Sequence, residues 1–373
     1  MHLTLLDISK DFSRIETIWR EMSSGSDVSY FMSWGWVENW LTTLPNDVRP
    51  HLALVRENDR PLMAFFLGKA DLVRHHVFKS HGLFVNAIGT RTYDNIWIEY
   101  NHFLNPTNMK IPFGDVLALL PEPWDELFLP GLDMEGYPGN ALDEQDFPYP
   151  VIIEIDSLSP YVDLELVRAK KGNYLSLLSS NTRSQIKRSY RLYESMGPVF
   201  LDVAESIEDG LKIFDEMVGL HLKVWQERGG HTSLASEYPS KFHKGLIRKR
   251  FEKGEIQLLR VRSGTTTIGC LYNFVSNGKV YFYQSGMNYE EDKRLKPGYI
   301  THVEAVQYNA KAGHSVYDFL AGSERYKMSL ATDKKRLIWV KIQKPLLKFS
   351  IENRLKAFKR SVLKTFMRTG INS

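Results

Sequence analysis

The sequence predicts a mixed α/β protein of two domains, with mixed sheets flanked by helices, and three observations carry that expectation. Between residues 256 and 285 three apolar runs follow one another at hairpin distance, the pattern of an antiparallel meander. A helix-length segment and one more short apolar run come directly after it, which lets the next strand return parallel to its neighbour. Residues 131–150 are rich in Gly, Pro, Asp and Glu. They read as a long surface loop dividing the 373 residues into two stretches, each long enough to bury its own core.

In the first stretch, Trp36, Trp40 and Leu41 share a helical face and predict a helix over Met32–Leu44. HLALVRENDRPLMAFFLG reads as a hairpin turning at Glu57–Arg60, with Pro61 suited to the start of its second strand. A strand is expected over Gly82–Ile88 and a helix or strand over Trp97–Leu104. The apolar segments Phe113–Leu120, Leu127–Pro130 and Val151–Ile155 complete this half. In the second stretch, Asn181–Glu194 predicts a helix with Ile186, Tyr190 and Tyr193 on one face, Arg183, Lys187 and Arg191 on another, and Asn181 or Thr182 as its cap. Leu211–Glu227 is amphipathic, and Phe242–Phe251 is a third helix closed by Gly254. Strands follow at Ile256–Arg262, Thr267–Val275 and Lys279–Ser285, with turns at Ser263-Gly264 and Asn277-Gly278. Lys296-Pro297-Gly298 leads into a helix over Tyr299–Ala312 that stops at Gly313. Strands at Val316–Leu320 and Leu337–Ile342, with a short helix between, finish the domain. LALVREND and LLRVRSGT, each ahead of an apolar strand, are a faint internal echo of duplication.

Composition narrows the function classes. Hydrophobic residues make up 43% and charged residues 25%, which excludes a fibre, a coiled coil or a disordered chain. A single cysteine, Cys270, excludes an intramolecular disulfide and a Cys-rich zinc site, and its β pattern reads as a buried small apolar position. The start of the chain lacks a basic n-region and a long apolar stretch, so a cytoplasmic protein is expected. His75, His76 and His81 lack the spacing of a metal site, and no metal is expected. Neither a nucleophile elbow nor a P-loop is present. Net charge is +4, yet Lys334–Ser373 holds twelve Lys/Arg and only Glu352 as an acid, a basic end on an acidic body that points to an anionic partner.

The segment from Tyr281 to Lys327 carries the functional expectation. A strand ends at Gln284-Ser285-Gly286, a loop follows, and a helix opens at Pro297-Gly298. Proline at the first turn leaves the leading N–H groups open, and these with the positive helix end suit a pyrophosphate. The alternative is an ordinary Pro-Gly turn before a helix.

NTRSQIKRSYRLYE, HLKVWQERGG, YFYQSG, KPGYITHVEAVQYNAKAG and YDFLAGSERYKMSLA together resemble the GNAT acyltransferase superfamily. They look most like its cellulose- and exopolysaccharide-associated branch, related to the Fem-type aminoacyl transferases. FMSWGWVENWLTTLP and IWIEYNHFL extend the resemblance over the first half. It implies tandem GNAT-like acyl-CoA N-acyltransferase domains: residues 1–158 degenerate, 159–345 binding an acyl-CoA such as acetyl-CoA, and 346–373 a basic amphipathic helix. The common phosphate loop of the family is replaced by Arg294-Leu-Lys-Pro-Gly-Tyr. Donor contacts are therefore expected at Gln284, Ser285, Lys296, Pro297, Gly298 and Tyr299. Attack of an amine on a thioester needs a proton acceptor and an acid beside the leaving thiolate. The resemblance points to Tyr326 as that acid, to Glu324 and Asp318 as bases, and to Lys327, Tyr283 and Arg183 as substrate contacts. Each has a structural reading beside it: a turn cap for Asp318, a core phenol for Tyr326, a Lys327–Glu324 pair.

The expected acceptor is a small molecule, an amine or amino sugar of an envelope or exopolysaccharide precursor; nucleic acid is not expected. The rivals are a Fem-type transferase using aminoacyl-tRNA and a non-catalytic GNAT-fold scaffold. In Leu346–Arg368, Leu347, Ile351, Leu355, Phe358, Val362 and Phe366 form one apolar stripe among Lys and Arg. Packing of that stripe on the protein is the expectation, and an anionic membrane surface is the alternative.

Overall fold

The computed structural model describes residues 1–373 apart from 25–26, 75–77, 107–110, 136–141, 143–148, 228, 231–232, 323, 353 and 356–373. The first half runs β1 (His2–Asp7), α1 (Ile8–Ser23), α2 (Trp34–Thr43), β2 (His51–Glu57), β3 (Arg60–Arg74), β4 (Phe78–Val85), α3 (Arg91–Asp94), α4 (Phe113–Ala118), β5 (Glu126–Asp133) and β6 (Val151–Asp163). The second runs α5 (Leu164–Ala169), α6 (Ser180–Met196), β7 (Val199–Val203), α7 (Ile207–Glu227), α8 (Glu237–Arg250), β8 (Ile256–Ser263), β9 (Thr266–Ser276), β10 (Lys279–Met287), α9 (Pro297–Lys311), β11 (Val316–Asp318), α10 (Arg325–Leu330) and β12 (Asp333–Gln343).

All twelve strands join one sheet in the order β1-β2-β3-β4-β5-β12-β6-β11-β10-β9-β8-β7. Read from either edge, the order describes the same unit. A strand and two helices lead into a three-strand meander, and a crossover brings a strand back parallel to the last one, β5 on β4 and β11 on β10. The echo seen in the sequence falls on equivalent strands, β2 and β8. The β2–β3 turn at Asn58-Asp59 and the β9–β10 turn at Asn277-Gly278 both place two residues at positive φ, the twist a two-residue hairpin requires.

The final strand of each unit is exchanged. β12 pairs with β5 of the first half, β6 pairs with β11 of the second, and β6 and β12 run against each other from Asp333↔Tyr161 to Ile342↔Val151. The expected division near residue 160 thus lies within β6. On one face α1, α2, α7 and α8 share a core that crosses between the halves, seating Trp19, Trp36, Phe66, Phe242 and Tyr272. Asn39 on α2 donates to the Phe242 carbonyl on α8 at 2.8 Å, and Tyr30 donates to Glu255 at 3.2 Å. The opposite face has one core under α4 and another under α5, α6, α9 and α10.

Several expectations shift. β1, α1 and β7 were not foreseen. Residues 97–104 form neither helix nor regular strand, but an irregular segment held by isolated bridges Leu104↔Ala64 and Asn101↔Leu132, with Trp97 and Tyr100 at positive φ. The α6 cap is Ser179, whose hydroxyl accepts from the Thr182 N–H at 3.2 Å. Cys270 is buried as expected, and burial pushes its thiol well up, so it is no nucleophile. His81 is exposed and pairs with Asp71 at 2.8 Å, whereas His75 and His76 lie outside the described residues.

The C-terminal stripe is the clearest correction. Over 347–352 the chain is helical, but Leu347, Ile351 and Leu355 are exposed. Phe349 and Glu352 face the body instead, because Glu352 pairs with Arg74 at 2.9 Å and Lys348 with Asp125 at 2.8 Å, fixing the rotation of the helix. Phe358, Val362 and Phe366 lie outside the described residues.

Candidate active site

β10 and β11 stay together for only three positions, Lys279↔Val316 to Tyr281↔Asp318. Beyond them the strands part. β10 runs on to Met287, with a bulge between Phe282 and Gln284 against β9. The chain after β11 turns to β6, where Phe319 and Gly322 donate to the carbonyls of Pro160 and Leu158 at 2.9 and 3.0 Å. This turn is tight enough to put Leu320 at φ +58° and Gly322 at φ +147°. The opening between the strands has Tyr283, Gln284 and Ser285 on one side and Phe319–Ala321 on the other.

The crossover sets the start of α9 at the same end, since a helix returning from the C-terminal end of β10 begins there. Pro297 occupies the first turn, and Lys296 at the cap position makes no side-chain capping bond. The leading N–H groups of a helix have no partner within it. An added Cβ on Gly298 would meet nothing within 4 Å, so the approach to those groups is open. α6 lies alongside. The Ser189 hydroxyl on α6 accepts the Lys296 N–H at 2.9 Å, and Lys187 and Arg191 line a groove of about 400 Å³ with Glu304 of α9. The Tyr299 hydroxyl meets that of Ser329 at 2.9 Å, which ties the start of α9 to α10.

At the parting point the two halves meet in a buried polar cluster. Asp318, the last residue of β11, accepts hydrogen bonds from the Tyr100 hydroxyl at 2.5 Å, the Ser159 hydroxyl at 3.0 Å and the Leu320 N–H at 2.7 Å. Burial raises its pKa against these bonds. Glu99, on the irregular segment of the first half, is 4% exposed and accepts from the Ala321 N–H at 2.7 Å. Burial pushes its pKa from 4.5 up to about 7, with the Asp318 charge adding to the rise and the Ala321 bond and Lys327 opposing it. Lys327 is buried and donates to the carbonyls of Ala321 at 2.7 Å and Leu320 at 3.4 Å. The Tyr326 ring stacks on buried His302 with centroids 5.4 Å apart, and burial raises the phenol far above neutral pH. His302 itself is held neutral, its pKa lowered by burial to about 3.

Asp318 ends β11 at the opening and Lys327 holds the turn that follows it, whereas Tyr326 packs against His302 and Phe319 in the core under α9 and Tyr283 packs on the opposite face of the sheet. Tyr283 donates to the Ile96 carbonyl of the first half and lies 4.9 Å, centroid to centroid, from the His243 ring. Gln284 turns its amide oxygen back to the Ser285 N–H at 3.0 Å. Glu324 is exposed and stands 3.6 Å from Lys327, and Lys327 itself is committed to the turn carbonyls. Arg183 is not brought to the opening: its guanidinium donates to the Leu178 carbonyl at 2.7 Å in the first turn of α6. Glu99 was missed. The only trace it leaves in the sequence is a lone carboxylate within IWIEY.

Among the described residues, no group of three or more His, Cys, Asp or Glu stands ready for a metal ion. The family described as acetyltransferase (GNAT) domain matches residues 180–328, the stretch that contains β10, α9, β11 and the opening between them. No curated protein matches the chain in sequence. Among solved structures, a conserved protein of unknown function from Bacteroides thetaiotaomicron is similar over 92% of this chain and 100% of its own, at 10% identity and a TM-score of 0.52. L-PGS from Bacillus licheniformis is similar over 88% of this chain and 92% of its own, at 9% identity and a TM-score of 0.50. At such identities the likeness is one of fold. The chain therefore shares the fold of these proteins over about nine tenths of its length, as two like units with exchanged final strands, and residues 180–328 of the second unit match the acetyltransferase (GNAT) domain family.

Proposed function

We propose that the protein is an N-acyltransferase that moves an acyl group, most simply acetyl, from acyl-CoA to an amine. One observation carries the reading: the segment that matches the acetyltransferase domain family contains two parallel strands that separate beside an uncapped, sterically open helix start. In this reading residues 159–345 bind the donor and residues 1–158 serve as the degenerate partner. The pyrophosphate of the donor rests on the N–H groups of Gly298 and Tyr299, with Gln284 and Ser285 along the pantetheine path and Lys296 at its mouth.

The chain's own groups then divide the proton work. The amine nitrogen attacks the thioester carbonyl, the carbon–sulfur bond breaks, and the proton shed by nitrogen passes to Glu99. A carboxylate with a pKa of about 7 is half ionised at neutral pH, which suits a proton acceptor better than the exposed Glu324. Tyr326 stays protonated at that pH and supplies the hydrogen for the departing thiolate. Asp318, held by three donors, positions Tyr100 next to Glu99. The acceptor enters from the side where the halves meet, and an amino sugar of an envelope or exopolysaccharide precursor is the class we assign to it. A cytoplasmic location follows from the use of acyl-CoA.

Calorimetric titration with acetyl-CoA tests this reading on the wild type and a Gly298→Asp variant. Aspartate in the first turn favours the helix but repels an anionic ligand. Micromolar binding lost by at least about tenfold in the variant, with the melting temperature kept, is the expected result. A wild type that takes up neither acetyl-CoA nor longer acyl-CoAs overturns the reading in favour of an aminoacyl-tRNA donor or a scaffold.

A further inference from the structure

The basic end of the chain is two different things. Its first part is neutralised internally: Lys335 pairs with Asp133 at 3.2 Å, Arg336 with Asp156 at 2.8 Å, Lys341 with Glu154 at 2.7 Å and Lys344 with Glu122 at 2.5 Å. These pairs fasten β12 and its exit to the acidic first half. Beyond Glu352 the sequence carries Arg354, Lys356, Lys359, Arg360, Lys364 and Arg368 and no acid at all.

The helix that begins this segment is docked by the wrong side for an ordinary amphipathic helix. Glu352 is buried in a two-pronged ion pair with Arg74, at 2.9 and 3.1 Å, and Phe349 is buried beside it. Lys348 reaches the Lys79 carbonyl at 3.0 Å and Asp125 at 2.8 Å. The apolar stripe is left facing out: Leu347 is 83% exposed, Ile351 53% and Leu355 55%. These residues lie at i, i+4 and i+8, and Phe358, Val362 and Phe366 continue the spacing in sequence. Each large aliphatic side chain left in water forgoes about 1.5–3 kcal/mol of burial, so three in one row call for a partner.

We propose that the exposed stripe of this helix is a seat for an anionic bilayer surface, Leu347, Ile351 and Leu355 entering the acyl boundary while Arg354 and the basic residues that follow it in the sequence draw the chain to lipid phosphates. The body of the protein is not the partner, because Phe349 and Glu352 already occupy the docked side. Pairing of this segment with the same segment of a second copy is disfavoured, because two of them bring like charges together with no acid between them. A lipid surface answers both features at once, and each basic residue near it adds about 1 kcal/mol. Among the described residues no helix is long and apolar enough to cross a membrane, so the contact is one of lying on the surface.

The test is co-sedimentation of the full chain with vesicles of phosphatidylcholine alone and of phosphatidylcholine with phosphatidylglycerol, at low and high salt. A variant with Leu347→Glu, Ile351→Glu and Leu355→Glu is compared, with its melting temperature recorded. The wild type is expected to favour the anionic vesicles by about tenfold or more, to release in high salt, and to lose binding in the variant while its melting temperature holds. Equal partition of wild type and variant, or no preference for anionic vesicles, overturns the proposal. So does a wild type that is dimeric in solution and becomes monomeric in the variant without ever binding vesicles.

Discussion

Replacing Glu99 with glutamine tests the buried cluster where the two halves meet. Glutamine keeps the oxygen that accepts the Ala321 N–H at 2.7 Å, so the turn after β11 retains its bond while the titration disappears. In the fold Glu99 takes up its proton at about 7, against 4.5 for an ordinary glutamate. Its contribution to stability is therefore fully present below pH 4.5 and is lost as the pH rises through 7, where the folded state must hold a buried charge. The difference corresponds to about 3 kcal/mol over that window. Urea unfolding at a series of pH values from about 4 to 8 reads it directly: the wild type loses about 3 kcal/mol that Glu99→Gln keeps. Asp94, raised by burial to about 6, titrates in the same direction but is present in both proteins and cancels. In the proposed reaction the same variant also loses the acidic limb of the kcat/KM profile near pH 7. Stability curves that run parallel for the two proteins refute the burial of Glu99 and its role as proton acceptor together.

His243 is buried with neither ring nitrogen bonded, and burial lowers its pKa from 6.5 to about 3. Its stability contribution is present above pH 6.5 and is lost as the pH falls, at about 1.4 kcal/mol per unit, so His243→Phe should unfold at lower pH than the wild type in acid titration followed by circular dichroism. Gly286 on β10 lies so close to α7 that an added Cβ would stand 2.2 Å from the Met217 carbonyl oxygen. Gly286→Ala is expected to cost about 1–3 kcal/mol in chemical unfolding, because backbone on both sides has to move.

How much of this was written in the sequence depends on the range of the interaction. β8, β9 and β10 were legible because Asn277-Gly278 and alternating apolar residues act within a few positions, and α9 was legible from Pro297, its periodic face and Gly313. β1 and β7 are short edge strands with one partner each, β2 and β8, and carry too few residues to show a period. The exchange of β6 and β12 was out of reach. The partner of a ladder is chosen across nearly two hundred residues, and Asp156-Ser157-Leu158-Ser159 breaks the apolar alternation that would mark a strand. The open start of α9, on which the proposed donor site rests, was legible for the same local reason as the helix itself. Lys327 and Arg183 read as ligand contacts because a cation in sequence looks alike whether it meets a phosphate or a protein carbonyl. Glu99 was hidden because only the fold, through positive φ at Trp97 and Tyr100, turns an ordinary glutamate into a buried one.

The most direct measurement of the central claim is a crystal structure of the protein with acetyl-CoA bound. The account predicts the pyrophosphate against the N–H groups of Gly298 and Tyr299, and the thioester in the opening between β10 and β11, within reach of Tyr326 on one side and Glu99 on the other. Acetyl-CoA seated instead on the first half, beside β4 and β5, or lying outside the opening with its thioester away from both residues, would contradict it.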